Sequence, residues 1–206
     1  MIKINEKLWV FPSTKNSNKI SSWWLETEAN PALIDCPLLD QPLIDNLQGL
    51  AAGRSPLIIL TSRDAHSNFK KFREIFPWGA LLQEQEAYLL PDLKGIQTFS
   101  QEYLIESGLK VLWTPGPTPG SCIVYAPAPS NVLFCGRLLI PDNSKKLIAL
   151  RTKTTFHWSM QLKSLRKMID WLPPNSFPSL ASGGTLDSLD DGKLLPWQAW
   201  NQSKSR

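Results

Sequence analysis

Between residues 114 and 121 the chain reads Thr-Pro-Gly-Pro-Thr-Pro-Gly-Ser, placing Pro115, Pro117 and Pro119 beside Gly116 and Gly120 in one short run. Proline removes a backbone donor and fixes φ, while glycine reaches dihedrals closed to other residues. No helix or strand ladder can pass through such a run. It is a rigid turn, and it organises what lies on either side. Before it, Leu109 to Trp113 reads as a strand; after it, Cys122 to Tyr125 and Val132 to Cys135 read as a strand pair joined by a Pro-rich turn.

Upstream, the apolar stretches Lys7 to Phe11, Ser22 to Leu25 and Ala32 to Ile34 read as short strands between turn residues. Leu43, Ile44, Leu47 and Leu50 then recur at helical spacing, with Gly53 as a stop. Pro56 to Leu60 has the unbroken apolar character of a buried strand. It runs directly into Thr61-Ser62-Arg63-Asp64-Ala65-His66-Ser67-Asn68, and Phe69, Phe72 and Phe76 follow at helical spacing up to Pro77. The last long element is helical, with Leu162, Leu165, Ile169 and Leu172 on one face, Ser159 as the expected N-cap and Pro173-Pro174 as its end. Strands followed by a helix, twice over, predict two packed sheets with helices outside.

A length of 206 residues, 42% hydrophobic and 19% charged, suits one globular domain over 1–206, with a core over about 8–184 and a C-terminal tail over about 193–206. No apolar run reaches membrane-spanning length, and Met1 to Lys7 lacks the apolar core of a secretory signal. Cys36, Cys122 and Cys135 are too few for a disulfide framework, so a reduced, cytoplasmic setting without membrane partners is expected. The net charge is +4. Its densest stretches, Lys70 to Arg73 and Lys163 to Lys167, interleave with apolar residues at helical spacing and read as solvated helix faces rather than a nucleic-acid patch.

The order of elements and loops resembles the metallo-β-lactamase superfamily, nearer its glyoxalase II-like members, from Leu8 to about Gly184. Ala32-Leu33-Ile34-Asp35-Cys36 is similar to the strand ending in Asp-Thr-Gly. Ile58-Ile59-Leu60-Thr61 is similar to the strand feeding the Thr-His-x-His-x-Asp-His loop. Residues 114–121 match Thr-Pro-Gly-His-Thr-Pro-Gly-Ser except at Pro117, and Val132 to Arg137 matches Val-Leu-Phe-x-Gly-Asp except at Arg137. Ser182-Gly183-Gly184 stands where Pro-Gly-His usually closes the site. The resemblance implies an α/β (α+β) fold, a four-layer αββα sandwich, and the function expected of its scaffold would be metal-dependent hydrolysis.

The ligand side chains depart from that pattern. The resemblance puts former metal-ligand positions at Ser62, Asp64, His66, Ser67, Pro117, Arg137 and Gly184. Pro117 has no ligating atom, and Arg137 carries a fixed positive charge where the family bridges two cations with Asp. No bound metal or other cofactor is expected, and the expected replacement is an ion pair between Arg137 and Asp64. Three functions remain open. The first is a non-catalytic protein holding a small anion or a protein partner with Arg63 and Arg137. The second is an ester or thioester hydrolase with a single zinc rebuilt from Asp64, His66 and Cys36, or with a Cys36–His66 nucleophilic pair. The third is a weak nucleic-acid binder. Cys36 and Cys135 are both expected near the site, Cys122 in the core, His157 in packing between Phe156 and Trp158, and Asp35 as a brace beneath the first loop.

Overall fold

In the computed structural model, which describes residues 1–13, 20–91, 94–187, 189 and 193–200, the apolar runs become strands buried on both faces. The first sheet runs in chain order through β1 (Ile2–Asn5), β2 (Leu8–Phe11), β3 (Ser22–Leu25), β4 (Ala32–Ile34), β5 (Leu57–Ile59), β6 (Ala80–Gln83) and β7 (Ile96–Phe99). Its first half is antiparallel and β4 to β7 are parallel. Parallel neighbours need crossover connections. Helices α1 (Gln41–Ala51) and α2 (His66–Ile75) supply them on either side of β5, and the short α3 (Glu84–Ala87) follows β6.

The second sheet comprises β8 (Glu102–Leu104), β9 (Lys110–Trp113), β10 (Cys122–Ala126) and β11 (Val132–Gly136), and it is completed by the last strand of the chain at Ser179–Ser182. Between them lie a small ribbon, β12 (Ile140–Pro141) with β13 (Leu147–Ile148), and helix α4 (Trp158–Trp171). The last strand, β14, pairs in parallel with β11. Helix α4 is the crossover between those two.

Alternation along the strands sets four layers. Ile34, Ile59 and Leu81 pack with Val124, Phe134 and Ala181 between the sheets. Their neighbours Leu33, Ile58 and Leu82 face the other way, with Leu47 of α1 and Phe69 and Phe72 of α2. Leu112, Ile123, Leu133 and Leu180 pack with Leu165 and Met168 of α4. This is the αββα sandwich expected from the sequence. The segment expected as a tail joins it: Leu180 and Leu195 exchange backbone hydrogen bonds at 2.7 and 3.0 Å, and Trp200 is buried in the α4 layer. The rest of that tail, residues 201–206, lies outside the described residues. Among the described residues no helix is long and apolar enough to cross a membrane.

Helix ends follow local chemistry, with one correction. Asp40 caps α1, its carboxylate accepting from the Leu43 N–H at 2.9 Å. The cap of α4 is His157 rather than Ser159: Nδ1 of the imidazole accepts from the Met160 N–H at 3.3 Å, and Ser159 sits in the first turn. The proline turn dictates this. The Phe156 and His157 N–H groups donate to the carbonyls of Pro117 and Gly116, which fixes where the chain enters the helix. His157 is therefore exposed, not packed.

Candidate functional site

Three loops meet where the strands of both sheets end. The Cys122 N–H donates to the Thr61 carbonyl at 2.9 Å, joining the end of β5 to the start of β10. Asp35, just past β4 with φ of 59°, accepts from the Thr61 N–H at 2.8 Å and from its hydroxyl at 2.5 Å. Asp35 is thus the loop brace that the sequence suggested. Burial pushes its carboxyl up to about 7, with the Thr61 hydrogen bonds pulling the other way. From the opposite sheet Gly136, with φ of 51°, comes so close that a Cβ there would lie 2.8 Å from Thr61 Oγ1.

The proline turn forms the next wall. The Thr118 N–H donates to Ser121 Oγ at 2.9 Å, and Ser164 of α4 donates its hydroxyl to the Pro115 carbonyl at 2.7 Å. Gly116 has φ of 143° and faces the helix backbone: a Cβ there would lie 2.4 Å from Gln161 Cα. Gly116→Ala is therefore expected to destabilise the protein by about 2–3 kcal/mol, because helix backbone cannot swing aside as a side chain can. Chemical denaturation measures it, and an unchanged midpoint would contradict the close approach. Glu86 of α3, buried, holds the far end of the turn by accepting from the Gly120 N–H at 3.0 Å. Burial raises its pKa, while hydrogen bonds from Thr118, Gly120 and the Arg63 backbone, with the Arg63 charge, oppose this. Nothing in the sequence separated Glu86 from Glu84 beside it.

Between these walls lies a cleft of about 370 Å³, lined by Arg63, Asp64, Pro117 and Arg137, by Ile140 and Leu150, and by a run of threonines. On its wall Arg137 Nη1 lies 2.9 Å from Asp64 Oδ2, the ion pair expected from the sequence. Of the residues singled out beforehand, the cleft gathers Arg63, Asp64, Pro117 and Arg137. Ser67 is exposed on the first turn of α2, and Gly184 is buried where a Cβ would come 3.0 Å from Ile140. Ser62 Oγ and both ring nitrogens of His66 are buried without a hydrogen-bond partner. Burial, then the Lys70 and Arg63 charges, hold the His66 imidazole down at about 4, so it is neutral at physiological pH.

The cysteines do not converge on the site. Cys36 lies in the layer beneath α1 and α2, Cys122 between the sheets, and Cys135 in the layer beneath α4. The expectation that Cys36 and Cys135 flank the site is corrected: register along β11 turns Cys135 towards α4, and the left-handed Asp35 turns Cys36 to the opposite outer layer. Burial raises all three thiols, which removes thiolate character. Asp64 is half-exposed and committed to Arg137.

No family model matches the chain, and neither does any curated protein. Solved structures do. BLEG-1 B3 metallo-β-lactamase is similar at 21% identity and a TM-score of 0.65, over 93% of this chain and 95% of that one. The metallo-β-lactamase from Pontibacter korlensis is similar at 16% identity and a TM-score of 0.64, over 93% of this chain and 95% of that one. An archaeal metallo-β-lactamase superfamily protein from Sulfolobus tokodaii is similar at 13% identity and a TM-score of 0.65, over 95% of this chain and 83% of that one. The chain has the metallo-β-lactamase fold.

That fold implies a metal centre, and the residues present do not fit one. A catalytic zinc takes about three protein ligands from Cys, His, Asp and Glu. Among the described residues no three such side chains are grouped to hold a metal, and Cys36, Asp64 and His66 are not brought together. The cleft of this metallo-β-lactamase fold instead carries Arg137, a cation bound to the nearest carboxylate.

Proposed function

We propose that this protein is a non-catalytic variant of the metallo-β-lactamase fold and binds a small anion in the cleft with Arg63 and Arg137. The observation that carries this reading is the Arg137–Asp64 pair. It supports it twice. A guanidinium stands where a hydrolase would need a metal-bridging carboxylate, and it neutralises the one exposed acid of the cleft. The cleft lining carries two guanidiniums, Arg63 and Arg137, and one carboxylate, Asp64, with the buried Glu86 carboxyl behind it accepting from the Arg63 backbone N–H. A guanidinium presents N–H groups in a fork that matches an oxyanion, and hydrogen bonds to charged groups are the stronger kind.

Two measurements test this. After incubation with zinc and desalting, the protein is expected to retain less than about a tenth of an equivalent, since a three-ligand site would fill. Near one equivalent, lost in Asp64→Ala, would mean a rebuilt hydrolase site. Titration with sulfate or acetate is expected to saturate, and Arg63→Gln to weaken it about tenfold or more. Affinity unchanged in Arg63→Gln and in Arg137→Gln would place the anion elsewhere.

A further inference from the structure

The cleft is not uniformly polar, and its composition specifies more than an anion. Resting on the anion reading, we propose that it takes an organic monoanion with a short apolar body, of the class of medium-chain or aryl carboxylates, the head group on Arg63 and the body along Ile140 and Leu150.

Charge comes first. Arg63 and Arg137 against Asp64 give the cleft lining at most one positive charge in excess, since the buried Glu86 carboxyl behind the turn also meets the Arg63 charge. One carboxylate balances it, whereas a dianionic phosphate monoester would leave excess negative charge beside Asp64.

The segment from residue 150 to 155 supplies the rest. Leu150, Thr152, Thr154 and Thr155 line the cleft, while Arg151 and Lys153 between them are exposed and outside its lining. Thr152 Oγ1 lies 3.1 Å from Thr154 Oγ1 and 3.2 Å from Thr155 Oγ1. These two contacts can consume at most two of the three hydroxyl protons, so at least one O–H remains for an acceptor in the cleft. A carboxylate is such an acceptor.

The apolar side is equally specific. Leu150 is 45% exposed on the cleft wall, and Ile140 lines the same cleft. Single exposed leucines are ordinary. Here Leu150 and Ile140 line one cationic cleft, so a ligand body lying on them would remove apolar surface from water. The volume, about 370 Å³, lies at the small end of the roughly 300–1,000 Å³ of ligand pockets, which limits the body to a short one.

Amide-resolved NMR titration of the full chain with acetate, butyrate, hexanoate and octanoate tests this, alongside octylammonium and octyl phosphate. Affinity is expected to climb by about fourfold per methylene until the apolar wall is covered, with shifts centred on residues 63–64, 137 and 150–156. Arg63→Gln is expected to weaken every carboxylate about tenfold. Leu150→Ser, at an exposed position, is expected to flatten the chain-length dependence. Acetate and octanoate binding equally, both sensitive to Arg63→Gln, would overturn the amphiphile and leave the anion reading standing. No anion binding at all would overturn both. Octylammonium binding as well as octanoate, or octyl phosphate binding more tightly than octanoate, would overturn the charge match.

Discussion

Trp23→Ala is expected to cost about 3–5 kcal/mol, the range for emptying a large aromatic site in a packed core. Trp23 is 1% exposed on β3 and lies between the sheets. Its ring meets Phe134 of β11 edge-on, with centroids 6.1 Å apart, and its Nε1–H donates to the Ser182 carbonyl of β14 at 2.9 Å. One side chain thus joins the first sheet to two strands of the second. Truncation removes the apolar area, the ring pair and the side-chain hydrogen bond to that carbonyl, and Phe134 is left facing a cavity. Trp23→Phe separates these effects: the ring survives while the N–H is lost, so about 1–3 kcal/mol is expected from the unpaired buried carbonyl. Against a total of about 5–15 kcal/mol for an ordinary domain, the alanine variant should be close to unfolding. Urea denaturation of the three proteins measures it. Equal midpoints for Trp23→Ala and Trp23→Phe would mean that the hydrogen bond, not the packing, joins the sheets.

The two-sheet architecture was legible because its strands and helices carry different periods, and Trp23 sits in one such run. Ala32-Leu33-Ile34 and Leu57-Ile58-Ile59 are apolar without interruption, as strands buried on both faces must be. The elements that stayed unread lack that contrast. β6 passes straight into α3 through Leu82-Gln83-Glu84, and Ile2-Lys3-Ile4-Asn5 forms a solvated edge strand that propensity alone does not mark. In the site, the Asp64–Arg137 pair was readable because two loops that had to meet carried opposite charges. The cysteine positions were not, because a side chain's layer depends on register: Cys36 follows Asp35 in a left-handed conformation, which redirects the chain beneath α2. Glu86 was equally hidden, since only its contact with Gly120 distinguishes it. The apolar wall at Leu150 escaped notice because a loop hydrophobe has no period to report it.

Asp35 and His66 are expected to bend the stability of this protein with pH in opposite directions, each visible once the other is removed. Folding raises the Asp35 carboxyl from 3.8 to about 7, so the folded protein holds a proton that the unfolded chain has released. Its contribution is complete below about pH 4 and is lost as pH rises to about 7. Folding lowers the His66 imidazole from 6.5 to about 4, so the folded protein excludes a proton that the unfolded chain takes up. Its contribution is complete above about pH 6.5 and is lost as pH falls towards 4. Each pH unit is worth about 1.4 kcal/mol, giving on the order of 4 kcal/mol for Asp35 and 3 kcal/mol for His66. Between pH 4 and 6.5 the two nearly cancel, so the wild type should be flatter than either variant. Asp35→Asn, which keeps an acceptor for the Thr61 N–H, is expected to lose stability steadily as pH falls through that window. His66→Gln is expected to gain stability over the same fall, with buried Glu86 adding in the same sense. Denaturation midpoints of the three proteins from pH 4 to 8 decide the matter: parallel profiles would mean that neither buried group changes its protonation differently in the folded and unfolded protein within the window.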